Sequence, residues 1–163
     1  MKEVTKLNQC ISTKDVIGWF NNLEGKENLS FVIFDIVSFY PAITLGLFNR
    51  ALDWISSLVP ISREQREIYI KSCQSFLYLG GVPWVKKGSV NFDVGMGAYQ
   101  GAQVCEIVGL CVLHELSVID GFDYLLYRDD GLGVTGKSPQ LQEQMSQRIR
   151  SIFAEEGLII TIT

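Results

Sequence analysis

Two periodicities alternate along this chain. Apolar residues at helical spacing predict five amphipathic helices, which begin near residues 12, 45, 62, 104 and 138. Short β-branched and aromatic runs predict strands over residues 31–37, 84–87, 91–94 and 158–162, and residues 122–134 predict a hairpin. The third helix is expected to continue to Gly80–Gly81, and the hairpin of residues 84–94 to turn at Gly88 and Ser89. This order of elements favours an α+β fold in which helices pack on one face of a mostly antiparallel sheet.

The segment of residues 122–134 carries an acidic pair at the predicted tip of its hairpin. Apolar and aromatic residues flank Asp129 and Asp130, and they are followed by Gly131, a residue that tolerates the positive φ of a tight turn. Two carboxylates held close together on rigid backbone repel each other unless a divalent cation binds them. A metal site is one interpretation of this segment, and a solvated turn without a ligand is the other.

Asp35 is the lone acid in the predicted strand of residues 31–37. A charge inside a buried strand is costly unless it is paired or bound to a metal, so Asp35 is expected to have a partner. The nearest candidate is the pair Asp129 and Asp130. The alternative is an isolated acid at a strand end, near a helix N-terminus.

Three segments resemble, in order and spacing, the three central palm motifs of reverse transcriptases. They are residues 34–41, with the sequence FDIVSFYP, residues 96–102, with the sequence MGAYQGA, and residues 127–130, with the sequence YRDD. The likeness is strongest to the cellular, non-retroviral reverse-transcriptase-like proteins, and it extends from the first helix to the last residue. The resemblance implies a polymerase palm that adds deoxynucleotides to the 3′-hydroxyl of a primer on an RNA or DNA template.

Two-metal phosphoryl transfer requires carboxylates that bridge cations about 3.5 to 4 Å apart, here two Mg²⁺ or Mn²⁺ ions. The resemblance favours Asp35 and Asp129 as the bridging pair. Neighbouring side chains alternate across a strand, so Asp130 can join them as a third catalytic ligand only if the turn intervenes. The backbone carbonyl of Ile36 is an additional implied metal ligand, because a hard cation accepts any well-placed oxygen.

Further residues would bind the substrates. The resemblance places Tyr40 under the sugar of the incoming nucleotide, where its ring would exclude a 2′-hydroxyl; a core tyrosine is the alternative. It assigns Gln100 and Gly101 to the loop that supports the template and the incoming nucleotide, and Tyr127 to substrate binding at the hairpin. The pair Lys86–Lys87 is either a contact to a phosphate backbone or an ordinary solvated edge.

The bulk composition limits the classes of function. The 163 residues, 47% of them hydrophobic, suit one globular domain over residues 1–163. A formal charge of −4 argues against strong nucleic-acid binding by this chain alone. The four cysteines lack CxxC spacing and are expected to be reduced core residues, and the single histidine, His114, leaves no Ser-His-Asp set. Without a signal sequence or an uninterrupted apolar span, we expect an intracellular protein that contacts no membrane.

The resemblance covers only part of a polymerase. In a polymerase of this type, fingers with basic residues would precede the segment that begins at Met1. A primer grip and a thumb would follow the segment that ends at Thr163. The chain is therefore expected to be a palm with part of the fingers, and to extend a primer little or not at all by itself. One alternative is a non-catalytic remnant that folds or provides a binding surface. A palm-fold nucleotidyl cyclase is disfavoured, because Tyr40 and the Gln100–Gly101 loop have no role there.

Overall fold

The computed structural model of the protein describes residue 5 and residues 7–85 and 91–163, so Lys86 and Lys87 lie outside the described residues. The helices are α1 (Thr13–Asn22), α2 (Phe39–Ala42), α3 (Leu45–Ser56), α4 (Arg63–Ser72), α5 (Gly101–Leu116) and α6 (Pro139–Glu155). The strands are β1 (Leu29–Ile36), β2 (Leu77–Leu79), β3 (Val82–Trp84), β4 (Asp123–Tyr127), β5 (Asp130–Gly136) and β6 (Ile160–Ile162). A 3₁₀ turn, Lys26–Asn28, leads into β1.

Internal contacts divide the chain into two compact units. Unit 1 comprises Met1–Val37 and Gly109–Thr163, and unit 2 comprises Ser38–Val108. Helix α5 contributes residues to both units. Because unit 1 is assembled from two separated segments, the division does not follow a linker between successive halves, and the interpretation of residues 1–163 as one domain stays a prediction.

Unit 1 is built on a four-stranded sheet in the order β4-β5-β1-β6, with every neighbouring pair antiparallel. Side chains on β1 alternate between the two faces of this sheet. Val32, Phe34 and Ile36 are buried, and we call their side the back face. Ile33 and Asp35 are exposed on the opposite side, the front face.

Helix α6 packs against the back face. Its buried residues are Met145, Ile149, Ile152 and Phe153. The ring of Phe153 meets that of Phe34 edge to face, with centroids 5.5 Å apart. The C-terminal part of α5 is tied to the same sheet, because the Tyr124 hydroxyl donates a hydrogen bond of 3.0 Å to the carbonyl oxygen of Leu113. The predicted α+β fold, with helices on an antiparallel sheet, is confirmed.

Helix α1 braces the first strand. It begins with a capping interaction in which the carboxylate of Asp15 accepts a hydrogen bond of 2.9 Å from the backbone amide of Ser12. The ring of Phe20 stacks on that of Phe31 with centroids 6.1 Å apart. The helix has no fully buried residue. It therefore covers part of the front face without sealing it.

Unit 2 contains a pair of capped helices. Thr44 caps α3 by accepting a hydrogen bond of 3.1 Å from the amide of Leu47, and Ser62 caps α4 with Gln65 in a capping box. The guanidinium group of Arg66 on α4 bonds the carboxylate of Asp53 on α3. The core of α3 consists of Leu47, Phe48, Ala51, Leu52 and Ile55.

The end of the third predicted helix is wrong, and so is the position of the next hairpin. Helix α4 ends at Ser72, and β2 pairs with β3 around Gly80–Gly81. Both glycines have positive φ, 62° and 80°, which suits a two-residue hairpin turn and does not suit the end of a long helix. No strand forms over residues 91–94, and the turn predicted at Gly88 and Ser89 lies outside the described residues.

All four cysteines are buried, and none of them forms a disulfide, as predicted. None of the helices in the described part of the chain is both long and apolar enough to cross a membrane.

Candidate active site

The acidic residues of the candidate site lie at one end of the sheet of unit 1. A two-residue turn, Arg128–Asp129, joins β4 to β5, and Tyr127 pairs with Asp130 across it. Arg128 adopts the left-handed conformation, with φ of 55°. The turn therefore lies one residue earlier than the sequence predicted. Asp130 opens β5, and Gly131 lies within the strand.

The strand register aligns four side chains across the front face. Asp130 lies opposite Tyr127 on β4 and opposite Asp35 on β1, and Asp35 lies opposite Thr161 on β6. Residues directly opposite each other in antiparallel strands share a face, with Cβ atoms about 4.5 to 5.5 Å apart. We call Tyr127, Asp130, Asp35 and Thr161 the acidic row. The register thus brings together the carboxylates of Asp35 and Asp130, although the two residues are far apart along the chain.

Asp129 lies in the turn beside this row. Its carbonyl oxygen accepts a hydrogen bond of 2.9 Å from the amide of Ile36. That bond ties the turn to the end of β1. All four residues of the predicted metal-binding set therefore lie together in unit 1: Asp35, Ile36, Asp129 and Asp130.

The carboxylates interact electrostatically. Partial burial raises the pKa of Asp130 above its ordinary value, and the negative charges of Asp129 and Asp35 raise it further. Ionisation of Asp130 is therefore disfavoured while its two neighbours carry negative charge. A bound cation would relieve that repulsion.

Asp35 is not buried, contrary to the sequence prediction. Its side chain is exposed on the front face, because the helices that bury Phe34 and Ile36 pack on the back face. The cost of a charge in a buried strand therefore does not apply to Asp35. Its carboxylate is instead accessible to a ligand.

The donor chemistry of this set fits Mg²⁺ or Mn²⁺, since carboxylate and carbonyl oxygens are the ligands that hard cations prefer. Within the described residues, no three His, Cys, Asp or Glu side chains form a group arranged to hold a metal ion. Mg²⁺ in phosphoryl-transfer sites is usually bound by one or two carboxylates together with waters and substrate phosphates. The residues present fit a site of that kind, in which the substrate supplies some of the ligands.

Gly131 has a different role from the one the sequence suggested. It pairs with Phe34, and a Cβ built at Gly131 would lie 2.0 Å from Cζ of that ring. Real Cβ atoms do not approach so closely, so the ring of Phe34 requires a glycine opposite it. This contact fixes the register in which the next pair, Asp35 and Asp130, face each other.

The predicted nucleotide-binding residues of unit 2 also lie close together. Tyr40 is buried in α2, and Gly101 begins α5. A Cβ at Gly101 would lie 3.4 Å from Cε1 of Tyr40 and 2.7 Å from the carbonyl oxygen of Gly95, so this close approach requires glycine. The side-chain amide of Gln100 donates to the carbonyl oxygen of Ser72. In this structure Gln100 thus has a local partner within unit 2.

Thr161 is a member of the acidic row that sequence reasoning missed. It is exposed between Ile160 and Ile162, and it lies opposite Asp35. The sequence did contain a signal for Thr161: it is the polar residue between two apolar ones in the final strand. Because side chains alternate across a strand, this pattern places Thr161 on the face opposite to Ile160 and Ile162. Its hydroxyl group adds a neutral donor beside the carboxylates.

No protein-family model and no curated protein matches the chain. Solved structures do share its fold. A telomerase from Candida albicans, in complex with a TWJ fragment of telomeric RNA, aligns over 99% of this chain and 31% of that chain, with a TM-score of 0.64 and 14% identity. An apo telomerase from Candida tropicalis, truncated from its C-terminal domain, aligns over 96% of this chain and 36% of that chain, with a TM-score of 0.63 and 13% identity. The chain thus spans about a third of the length of these neighbours, and it shares the fold of that part of telomerase, a reverse-transcriptase-related enzyme.

Proposed function

We propose that this chain is the catalytic palm of an RNA-directed DNA polymerase, which adds deoxynucleotides to the 3′-hydroxyl of a primer. The observation that carries the proposal is the pairing of Asp35 with Asp130 on an accessible face, with Asp129 in the adjoining turn. The fold shared with telomerase agrees with a polymerase of the reverse-transcriptase type. The proposed partners are an RNA or DNA template, a primer and deoxynucleoside triphosphates.

The cations would be held by three carboxylates and one backbone carbonyl group, those of Asp35, Asp129, Asp130 and Ile36 respectively. When bound, two Mg²⁺ or Mn²⁺ ions activate the attacking hydroxyl group and stabilise the leaving pyrophosphate. The contribution of the chain is to hold its acids in place before substrate arrives. The β1–β5 register and the Ile36–Asp129 hydrogen bond hold the backbone of these residues, so little reorganisation is required on binding.

Two tyrosines are proposed to contact the substrates. Tyr127 keeps 39% of its surface exposed and lies next to Asp130 in the acidic row, where its ring can contact a nucleotide or the primer end. Tyr40 is proposed to exclude the 2′-hydroxyl of a ribonucleotide. The close approach of Gly101 holds the ring in place, and a ring held in this way can discriminate by shape at the edge it keeps exposed.

The proposal predicts that Mn²⁺ together with a deoxynucleoside triphosphate stabilises the folded chain. A ligand at about 100 times its dissociation constant adds about 2.7 kcal/mol to the free energy of unfolding, which raises the Tm of a domain of this size by several degrees. Asp35→Asn and Asp130→Asn should lose most of this gain, and Asp120→Asn should keep it. Asp120 is the matched control, since it is an exposed acid outside the acidic row. Equal gains in all four proteins would place the cation elsewhere and overturn the assignment.

Primer extension on an RNA template separates catalysis from binding. Extension that disappears in Asp35→Asn and Asp129→Asn, and persists in Asp120→Asn, supports the polymerase. Metal and nucleotide binding without any extension instead supports a non-catalytic remnant that retains the binding surface. The formal charge of −4 favours that second candidate, because a chain that holds a nucleic acid alone usually has a basic surface.

A further inference from the structure

A cavity of about 530 Å³ lies on the front face of unit 1. Its floor contains Leu125, Leu132 and Ile33, which lie opposite one another on β4, β5 and β1. Val16 and the first turn of α1 form the facing wall. The floor is the row of residues next to the acidic row, so the cavity adjoins the candidate active site.

The side chains of unit 1 leave this space unfilled. Ile33 keeps 54% of its surface exposed although it lies in a central strand, and α1 buries none of its residues. Small-molecule sites typically have volumes of about 300 to 1,000 Å³ and a mostly apolar lining. The dimensions of this cavity therefore suit a small ligand.

Charge decides which small ligand the cavity suits. Tyr127 and Asp130 border it, and the carboxylate of Asp35 lies opposite Asp130. Among the described residues that line the cavity, none is a lysine or arginine. Arg128 lies over the ring of Tyr127, 5.5 Å from its centroid, but does not line the cavity. The carboxylates at the border therefore favour an organic cation over a phosphate or a carboxylate.

We propose that this cavity binds a small arylalkylammonium compound. The aromatic ring lies among Val16, Ile33 and Leu132, and the ammonium group donates hydrogen bonds to the carboxylate of Asp130. Binding at this site does not rest on the proposed function. Since Asp130 also belongs to the proposed metal-binding set, the compound would compete with Mn²⁺ for the same carboxylate.

Two indole compounds of opposite charge test the proposal. Tryptamine carries an ammonium group, and indole-3-acetate carries a carboxylate on a similar ring. In ¹H–¹⁵N correlation spectra, tryptamine should shift the amide signals of Val16, Ile33 and Leu132 in a saturable manner. Indole-3-acetate should bind more weakly by about tenfold or more, which corresponds to the loss of one charge-assisted hydrogen bond. Equal affinities, or shifts that cluster outside the cavity, would overturn the proposal.

Variants on α1 provide a matched pair. Val16→Trp should fill the cavity and abolish tryptamine binding, and Ile17→Trp should leave it unchanged, because Ile17 is 55% exposed and does not line the cavity. Asp130→Asn should remove the preference for tryptamine over indole-3-acetate. The same spectra show whether each variant is folded. If Val16→Trp does not fold, Ile33→Trp is used in its place to fill the cavity. Tryptamine binding to a folded cavity-filling variant with wild-type affinity would contradict the proposal, whatever the outcome of the primer-extension assay.

Discussion

At the scale of single residues, the contact between Phe34 and Gly131 determines whether Asp35 faces Asp130. Because a Cβ at position 131 would lie 2.0 Å from the Phe34 ring, Gly131→Ala forces the ring or the strand to move. Overpacking of this kind costs about 1 to 3 kcal/mol. Urea denaturation should show that loss in the free energy of unfolding.

Gly18→Ala is the control for this substitution. Gly18 lies within α1, and a Cβ added there would have no neighbouring atom within 4 Å, so the same chemical change meets no steric barrier. Alanine is favoured over glycine within a helix by about 0.5 to 1 kcal/mol, and Gly18→Ala should stabilise the protein. A Gly131→Ala protein as stable as the wild type would show that the Phe34 ring does not hold the register.

The raised pKa of Asp130 predicts a pH-dependent cost in stability. An acid whose pKa is higher in the folded state than in the unfolded state stabilises the fold at low pH, and this contribution is lost as the pH rises through the folded pKa. Asp130→Asn should therefore raise the Tm at pH 7, in the absence of metal. Because the side chain is only partly buried and largely exposed, solvent screening limits the gain to about 0.2 to 1 kcal/mol.

This gain should disappear below pH ~4, where the unfolded chain also protonates its aspartates. Thermal unfolding of wild type and Asp130→Asn across pH 3 to 8 measures it, at an ionic strength held near ~0.1 M. Asp120→Asn, which removes one exposed charge outside the row, should have little effect on Tm at any pH. A stabilisation of Asp130→Asn that persists unchanged at low pH would mean that charge repulsion is not its cause.

At the scale of elements, the sequence predicts helix starts better than it predicts turns. The Asp15 carboxylate accepts from the amide of Ser12, and the Ser62 hydroxyl accepts from the amide of Gln65, so the signal for each helix start is local. The turn at Arg128–Asp129 depends on which residues of β5 meet β1, and Phe34 decides that from a distant part of the sequence. A one-residue shift of this kind cannot be derived from turn propensities alone.

The Gly80–Gly81 hairpin gives a prediction at this scale. Gly81 has φ of 80°, and a β-branched side chain in the left-handed region is strained, so Gly81→Val should destabilise the β2–β3 pair by about 1 to 2 kcal/mol. Amide hydrogens of the hairpin should then exchange about 5 to 30 times faster. Gly80→Asn is the control, because Asn-Gly is the favoured sequence for a two-residue hairpin turn. Slow exchange in Gly81→Val would show that the turn does not need its positive φ.

At the scale of the whole molecule, the order of motifs singled out acids that meet in the sheet, which periodicity alone did not do, and their catalytic role stays a prediction. The three segments at residues 34–41, 96–102 and 127–130 identified Asp35, Asp129 and Asp130, and the sheet of unit 1 brings these acids together. Periodicity alone wrongly placed Asp35 in a buried environment, because an apolar strand does not reveal how many of its faces are covered. Placing Thr161 beside Asp35 requires knowledge of the strand order, because β6 is the neighbour of β1, and no local sequence pattern contains that order.

Net charge determines how firmly this chain can hold a nucleic acid. With a charge of −4 and a pI of 5.0, we expect weak binding to a primer–template duplex, carried by local basic side chains.

Each phosphate contact contributes about −0.9 to the slope of the logarithm of the binding constant against the logarithm of the salt concentration. If Lys86 and Lys87 both contact phosphates, replacing the pair with alanine should reduce the size of that slope by about 2, measured by fluorescence anisotropy at about 50 to 200 mM salt. A double variant at Lys14 and Lys137, two exposed lysines of unit 1, changes the net charge equally and should leave the slope unaltered. Equal reductions in both double variants would show that net charge alone sets the affinity, and that Lys86 and Lys87 form an ordinary solvated edge.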